Sequence, residues 1–298
     1  MRQLTKPSTP PEFIEHLKNI RDAKKSTKEQ KDERTDAKSI LTTAHDEITK
    51  AYRSMDNALQ HRSLHKLTPS KDLSLIADVL RGCYSGKTKG IVAIKNLIRK
   101  SQEKRFLKYC PMCGTTLPRT YDHYLPSSLF PEYAVHPINL IPCCAICNST
   151  KDDDWLDATG NRQYMHLYTD EWPVEKFLAV ALVEIDGLEG VGAHFKISCP
   201  ANFKGNWKLI EAHYTRLKLL ERYIEQGNDE IDEILADCAI HLKSGGEKVG
   251  DFLLLQAKDR EHVYGTNHWR VQLMLELAKS QNLDKWVAIH MHKLEQIL

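Results

Sequence analysis

The chain has no long apolar run and almost no excess of either charge. Its 298 residues carry a formal net charge of +2, so any surface that binds nucleic acid has to come from local clustering of basic residues. No stretch approaches the roughly 18 apolar residues of a membrane-spanning helix. The N-terminal stretch MRQLTKPSTPPEF lacks the apolar centre of a secretory signal, so we expect a cytoplasmic protein with no membrane partner.

Apolar residues recur at steps of three and four over most of the sequence, which predicts a mainly helical fold. Leu41, Ile48 and Met55 indicate a long N-terminal helix that packs on its own domain or meets a partner as an arm. Further helices are predicted at Lys71–Leu80 and at about Lys89–Lys108, with GCYSGKTKG as a loop between them.

Two stretches in the second half of the chain predict a short β-hairpin. Its strands are KFLAVALVEIDG and GAHFKISC, and its turn is DGLEGVG. Periodic apolar residues indicate helices again from Trp207 onward. We therefore expect three parts: a helical region at 1–107, a cysteine-rich module at 108–155, and a β-hairpin with helices at 156–298.

Cysteine is concentrated in one segment, because five of the eight cysteines lie between positions 110 and 147. In a reducing compartment such crowding indicates a metal site rather than disulfides. Two Cys-x-x-Cys knuckles can supply the tetrahedral sulfur set that zinc prefers, and Gly114 suits the left-handed turn after the first. Cys143 could replace Cys144, although only the spacing of Cys144 and Cys147 matches the first knuckle. We predict zinc ligation by Cys110, Cys113, Cys144 and Cys147, and core positions for Cys83, Cys199 and Cys238.

Polar residues occur between and after the knuckles in a definite order. DHYLP at 122–126, NLIPCCAICN at 139–148 and STK at 149–151 interleave with the cysteine pairs. A structural zinc site alone does not explain why these polar segments accompany the cysteine pairs. Together with CPMC at 110–113 they resemble the HNH family of ββα-metal nucleases, in the subgroup that carries a four-cysteine zinc. The resemblance covers about residues 108–155 and implies a small ββα-metal module embedded in a mainly α-helical chain.

The resemblance implies phosphodiester hydrolysis at that module. Asp122 and Asn148 would give oxygen ligands to Mg²⁺ or Mn²⁺, separate from the zinc. His123 would be the general base that activates water. Asn139 would hold the loop that orients His123, and Lys151 would contact the phosphate or the transition state. Many members carry a final histidine where this chain has Asn148, which favours a hard, oxygen-ligated cation.

A run of basic residues leads into the first knuckle, with Glu103 as its acidic member. Beside a catalytic centre such a run would follow a nucleic-acid backbone with little choice of sequence, whereas the alternative is a solvated helix face. His136, close to the motif, could contact substrate or metal. The residues predicted to bind nucleic acid are Lys95, Arg99, Lys100, Lys104, Arg105 and Lys108.

These observations together predict a metal-dependent endonuclease acting on DNA, with RNA as an alternative substrate. The competing interpretation is a catalytically inactive, zinc-stapled module that binds nucleic acid or protein. The N-terminal MRQLTKP and the large helical flanks are similar to the HNH subunit of Septu-type and retron-linked anti-phage defence systems, which implies an ABC/SMC-like ATPase partner. A restriction-type or mobile-element nuclease is the alternative setting.

Overall fold

The structure, a computed structural model, describes residues 2–8, 12–24, 36–85, 88–184 and 190–297. This part of the chain is mostly helical, with two antiparallel two-stranded sheets. It divides into two compact units. The N-terminal unit comprises residues 3–112 and 116–170, and the C-terminal unit comprises residues 1–2, 113–115 and 171–298. None of the described helices combines the length and apolarity that a bilayer crossing requires.

The N-terminal unit surrounds one hairpin with helices. Strand β1 (Thr120–His123) pairs antiparallel with β2 (Leu140–Cys143). The helices are α1 (Phe13–Ala23), α2 (Ala37–Thr43), α3 (His45–Gln60), α4 (Lys71–Ser74), α5 (Ala77–Ser85), α6 (Lys89–Lys100) and α7 (Ala145–Lys151). Short 3₁₀ turns lie at Leu64–Lys66, Phe106–Lys108, Pro131–Tyr133 and Pro137–Asn139.

Helix α6 illustrates why these segments fold as they do. Thr88 caps its first turn by accepting a hydrogen bond from the Ile91 backbone N–H at 3.4 Å. Ile91, Ile94 and Ile98 form one buried stripe at helical spacing. Gly90 lets α1 approach closely, since a Cβ at this position would lie 2.5 Å from the Cγ1 atom of Ile20.

Several predicted helices are interrupted. The long N-terminal helix divides into α2 and α3 at Ala44, and the helix predicted from Lys71 divides into α4 and α5. The helix predicted to reach Lys108 ends at Lys100, because the Gln102 side chain donates to the Ile98 carbonyl at 3.1 Å and replaces a further helical turn. The predicted loop GCYSGKTKG begins inside α5, and its residues 86 and 87 lie outside the described part of the chain.

The cysteine-rich segment shares a core with the N-terminal helices. The Tyr133 hydroxyl donates to the Ala51 carbonyl of α3 at 3.2 Å, and the Tyr121 hydroxyl donates to the Lys95 carbonyl of α6 at 3.1 Å. Most of residues 108–155 lie in the same compact unit as the N-terminal helices. The division into a helical region at 1–107, a module at 108–155 and a region at 156–298 stays a prediction.

The C-terminal unit packs helices on the second hairpin. Phe195 of the hairpin contacts the rings of Tyr223 and Trp269, which stack with their centres 5.8 Å apart. The predicted helix from Trp207 ends early because Lys218 adopts the left-handed conformation (φ 49°). The first four residues of the predicted hairpin turn, 186–189, lie outside the described residues. The elements are β3 (Leu178–Glu184), β4 (Val191–Ile197), α8 (Trp207–Arg216), α9 (Leu219–Lys243), α10 (Val249–Tyr264), α11 (Trp269–Lys279) and α12 (Leu283–Ile297).

Candidate functional site

Four buried cysteines come together at the two knuckles. Their Sγ atoms all lie within 4.8 Å of one another, compared with about 3.8 Å for sulfurs bound tetrahedrally to one zinc. All four side chains are buried, which suits a closed structural site. A group of this composition is able to hold a zinc ion. Its members are Cys110, Cys113, Cys144 and Cys147.

Backbone N–H groups of the second knuckle donate to one sulfur of each knuckle. Gly114 has φ 72°, so the predicted left-handed turn after the first knuckle is confirmed. Cys144 caps α7, and its Sγ atom accepts a hydrogen bond from the Cys147 N–H at 3.4 Å. The Cys144 N–H in turn donates to the Cys110 Sγ at 3.3 Å. Such donors stabilise negative charge on sulfur, which a zinc ligand carries.

The other cysteines are placed differently. Cys143 lies outside the four-cysteine group, and its buried thiol contacts the Thr120 hydroxyl at 3.3 Å. Burial raises the pKa of Cys143 to about 12. Cys83 and Cys238 are buried as predicted. The core position predicted for Cys199 is wrong, because this cysteine follows the end of β4 and is exposed.

The hairpin and α7 carry the polar residues of the motif. Asp122 and His123 end strand β1, where they pair with Ile141 and Leu140 of β2. Only Cys144 separates β2 from α7, which brings Asn148 and Lys151 back toward β1. Side chains from β1, α5, α6 and α7 surround an open cavity of about 740 Å³. Asp122, His123 and Asn148 all line this cavity.

His123 has one ring nitrogen engaged. Its Nε2 atom lies 2.9 Å from the Ala134 carbonyl oxygen, which fixes the tautomer with the proton on Nε2 and leaves Nδ1 as the acceptor. The edge of the ring meets Tyr84 with centroids 4.4 Å apart. The pKa of His123 is lowered to about 4, chiefly by burial, with a contribution from the charges of Lys151 and Lys95, while the hydrogen bond to Ala134 opposes the change. The imidazole is therefore neutral at physiological pH.

Asp122 and Lys151 form a buried ion pair. The Lys151 Nζ atom donates to the Asp122 Oδ1 at 3.1 Å and to the His123 carbonyl at 2.9 Å. Burial raises the pKa of Asp122, and Lys151 opposes this change. The second carboxylate oxygen, Oδ2, is buried and has no hydrogen-bond partner in the part of the chain that the structure describes. Lys151 is fully buried, so its ammonium does not reach the cavity for the predicted phosphate contact.

Asn139 fixes the loop that follows β1. Its Oδ1 atom accepts from the Leu125 N–H at 2.8 Å, and its Nδ2 group donates to the carbonyls of Leu125 and Tyr133, each at 3.1 Å. Ala134, the acceptor for His123, comes directly after Tyr133. This fully buried amide therefore holds the loop against which the imidazole is oriented.

His136 belongs to the core of the N-terminal unit. Its ring is fully buried and makes edge contacts with Phe13, Tyr52 and Tyr133. Burial lowers its pKa to about 3. His136 lines neither the cavity nor the four-cysteine group, so the direct contact with substrate or metal considered from the sequence does not arise in this geometry.

The basic run divides between the cavity and the surface. Lys95 lines the cavity, with its Nζ atom 4.5 Å from the centre of the Tyr84 ring. The other residues predicted to bind nucleic acid are exposed and do not line it: Arg99, Lys100, Lys104, Arg105 and Lys108.

Sequence reasoning missed several residues that line the cavity. Tyr84 comes from α5, in a segment interpreted as a loop, and no signal in the sequence places it beside His123. Arg119 directly precedes β1. Its position three residues before Asp122 is a signal in the sequence that could have identified it as a residue of the cavity. Asp152, which also lines the cavity, has φ 44°, a conformation uncommon outside glycine.

Comparison with known proteins identifies a partial likeness. No protein-family profile and no solved structure matches the chain. Among curated proteins, protein ea31 of Escherichia phage lambda is 28% identical over 135 residues, which cover 42% of this chain and 43% of that protein. The chain thus aligns with less than half of the phage protein's length, and this likeness assigns no family and no activity.

Proposed function

We propose that this protein is a metal-dependent endonuclease of the HNH, ββα-metal type that hydrolyses phosphodiester bonds in DNA. The observation that supports the proposal best is one cavity lined by His123, Asp122 and Asn148, at the junction of a hairpin and a helix. Packing of the hydrophobic core gives no reason for these three polar side chains to line one open cavity. The adjacent four-cysteine group would bind a structural zinc ion that holds the small hairpin and helix in shape.

The donor set beside His123 fits a second, hard divalent cation. The buried Oδ2 atom of Asp122 has no hydrogen-bond partner among the described residues. Burying a carboxylate oxygen without a partner destabilises the fold, and a bound cation would remove this cost. Asn148 offers an amide oxygen on the same cavity. Oxygen ligands of this kind favour Mg²⁺ or Mn²⁺ over zinc. When bound there, the cation would supply Lewis-acid stabilisation of the charge that develops on the phosphate and on the leaving oxygen.

The protein residues would carry out the proton transfer and the positioning. Nδ1 of His123 would accept a proton from water while the water oxygen forms a bond to phosphorus. The bond from phosphorus to the 3′ oxygen then breaks, and solvent protonates the leaving oxygen. A phosphate placed beside the ring adds negative charge, which would raise the pKa of His123 and strengthen it as a base. Asn139 would keep the ring aimed through the loop that ends at Ala134.

Plasmid nicking tests this proposal. Wild-type protein, purified with zinc and given Mg²⁺ or Mn²⁺, is expected to nick supercoiled DNA. His123→Ala removes the base and should lower the rate by about 10²–10⁴-fold. Cys199→Ala is the matched control, because this cysteine is exposed and outside both the cavity and the four-cysteine group. Equal activity of His123→Ala and wild type would refute the proposed base.

An inactive binding module is the second candidate, and the Asp122–Lys151 ion pair is the observation that favours it. With Lys151 on Oδ1, the carboxylate already has one cationic partner and is less available to a metal. Retained DNA binding with no cleavage of DNA or RNA, in either metal, would support this candidate over the nuclease.

The biological setting we propose is anti-phage defence beside a large ABC/SMC-like ATPase. Only the similarity of the N-terminal stretch and the helical flanks supports it. Co-purification of the tagged protein with such an ATPase from its own host would support this setting, whereas activity and stability without any partner would favour a restriction-type or mobile-element nuclease.

A further inference from the structure

The cavity beside His123 is lined by two basic residues that the motif does not supply, in addition to the carboxylates of Asp122, Asp152 and Asp153. Lys95 projects from α6 and Arg119 stands directly before β1, and both line the cavity. Lys151, the cation within the motif, is instead fully buried against Asp122. The cations available to a ligand in this cavity are therefore not among the residues that carry the HNH resemblance, because Lys95 precedes that region and Arg119 lies between two of its matched pieces.

The position of Lys95 is fixed by two aromatic rings. Its Nζ atom lies 4.5 Å from the centre of the Tyr84 ring and 5.5 Å from that of Tyr121. Both distances lie within the range of cation–π attraction. Tyr84 also contacts the His123 ring at 4.4 Å, so one tyrosine touches both the ammonium and the imidazole. A cation held in this way loses little side-chain freedom when a ligand binds.

Neither cation forms a salt bridge with a carboxylate of the described residues, although Lys95 is half-buried. Burial lowers the pKa of Lys95, which reflects the cost of removing an ammonium group from water. An anion entering the cavity would offset that cost with charge-assisted hydrogen bonds.

We propose that Lys95 and Arg119 form the phosphate-binding wall of the cavity and contact the backbone of a DNA strand at the bond that is cut. This inference rests on the proposed endonuclease function and deepens it. It assigns the substrate contact to Lys95 and Arg119 and leaves Lys151 as the internal partner of Asp122.

Binding measured without cleavage tests the inference. All proteins carry His123→Ala and are titrated with fluorescein-labelled duplex DNA in Ca²⁺ over a range of salt concentrations. Lys95→Met and Arg119→Gln should each weaken binding about tenfold and reduce the slope of log K against log salt by about 1. Lys95→Arg should retain most of the affinity, which separates lost charge from misfolding.

Lys196→Met is the matched control, because Lys196 is an exposed lysine of β4 in the C-terminal unit. The inference is overturned when Lys95→Met and Lys196→Met bind alike, or when the protein binds no duplex DNA. Tighter binding of RNA than of DNA overturns the assigned substrate. A selective loss of affinity in Lys95→Met, together with a wild type that cleaves nothing, sustains the phosphate wall and refutes the nuclease.

Discussion

Replacement of Asn139 by alanine tests how the structure orients His123. The change leaves two buried backbone groups, the N–H and C=O of Leu125, without their partner, and it removes one of two donors from the C=O of Tyr133, which still accepts from the His136 N–H at 3.1 Å. Each orphaned group costs about 1–3 kcal/mol, and water entering the space left by the amide recovers part of this. We therefore expect the free energy of unfolding, from urea denaturation, to fall by about 2–4 kcal/mol.

The same variant should lose activity beyond its loss of stability. Loss of the Asn139 hydrogen bond leaves the Tyr133 carbonyl with the His136 N–H as its donor and loosens Ala134, whose carbonyl oxygen is 2.9 Å from the His123 Nε2 atom. A displacement of about 1 Å at the reacting group can lower the rate about 100-fold. Plasmid nicking per folded molecule measures this loss. If the Ala134 carbonyl no longer fixes the proton on Nε2, the tautomer of His123 should change. The ¹⁵N chemical shifts of the His123 ring measure this change independently of activity.

Asn267→Ala is the matched control for Asn139→Ala. Asn267 is also buried and also makes three hydrogen bonds, to the N–H groups of Phe177 and Leu178 and to the carbonyl of Glu175, all within the C-terminal unit. We expect a similar loss of stability and nicking within about twofold of wild type per folded molecule. Equal losses of activity in the two variants, or a stability loss below about 1 kcal/mol in Asn139→Ala, would contradict this reasoning.

Two further predictions concern zinc and pH. Cys144→Ala should abolish the single equivalent of zinc measured by elemental analysis, whereas Cys143→Ala, one residue earlier, should keep it; zinc loss in both would contradict the four-cysteine assignment. Burial lowers the pKa of His136 to about 3, and Asp56, 3.7 Å from its Nε2 and half-exposed, does not offset this. Below about pH 6.5 the unfolded chain therefore binds a proton that the folded chain does not, so the free energy of unfolding should fall from about pH 6.5 toward pH 3, by up to about 5 kcal/mol. His136→Gln should lose this part of the pH dependence in urea titrations, and an unchanged profile would contradict it.

Local spacing determined much of the module. The two Cys-x-x-Cys knuckles and the left-handed turn at Gly114 follow from what a few neighbouring residues allow the backbone to do. The β3–β4 hairpin likewise follows from alternation along two short segments. These features needed no knowledge of distant residues, which is why the sequence predicted them.

Tertiary structure decided which charged and polar groups are buried and which face the cavity. The sequence suggested that Lys151 and His136 contact substrate, yet both side chains are fully buried. It predicted a core position for Cys199, which is exposed. Lys95 and Arg119 line the same cavity because α6 and β1 pack in one unit, although they are distant in sequence. Burial and desolvation depend on every element that surrounds a side chain, and periodicity within one segment carries no information about those neighbours.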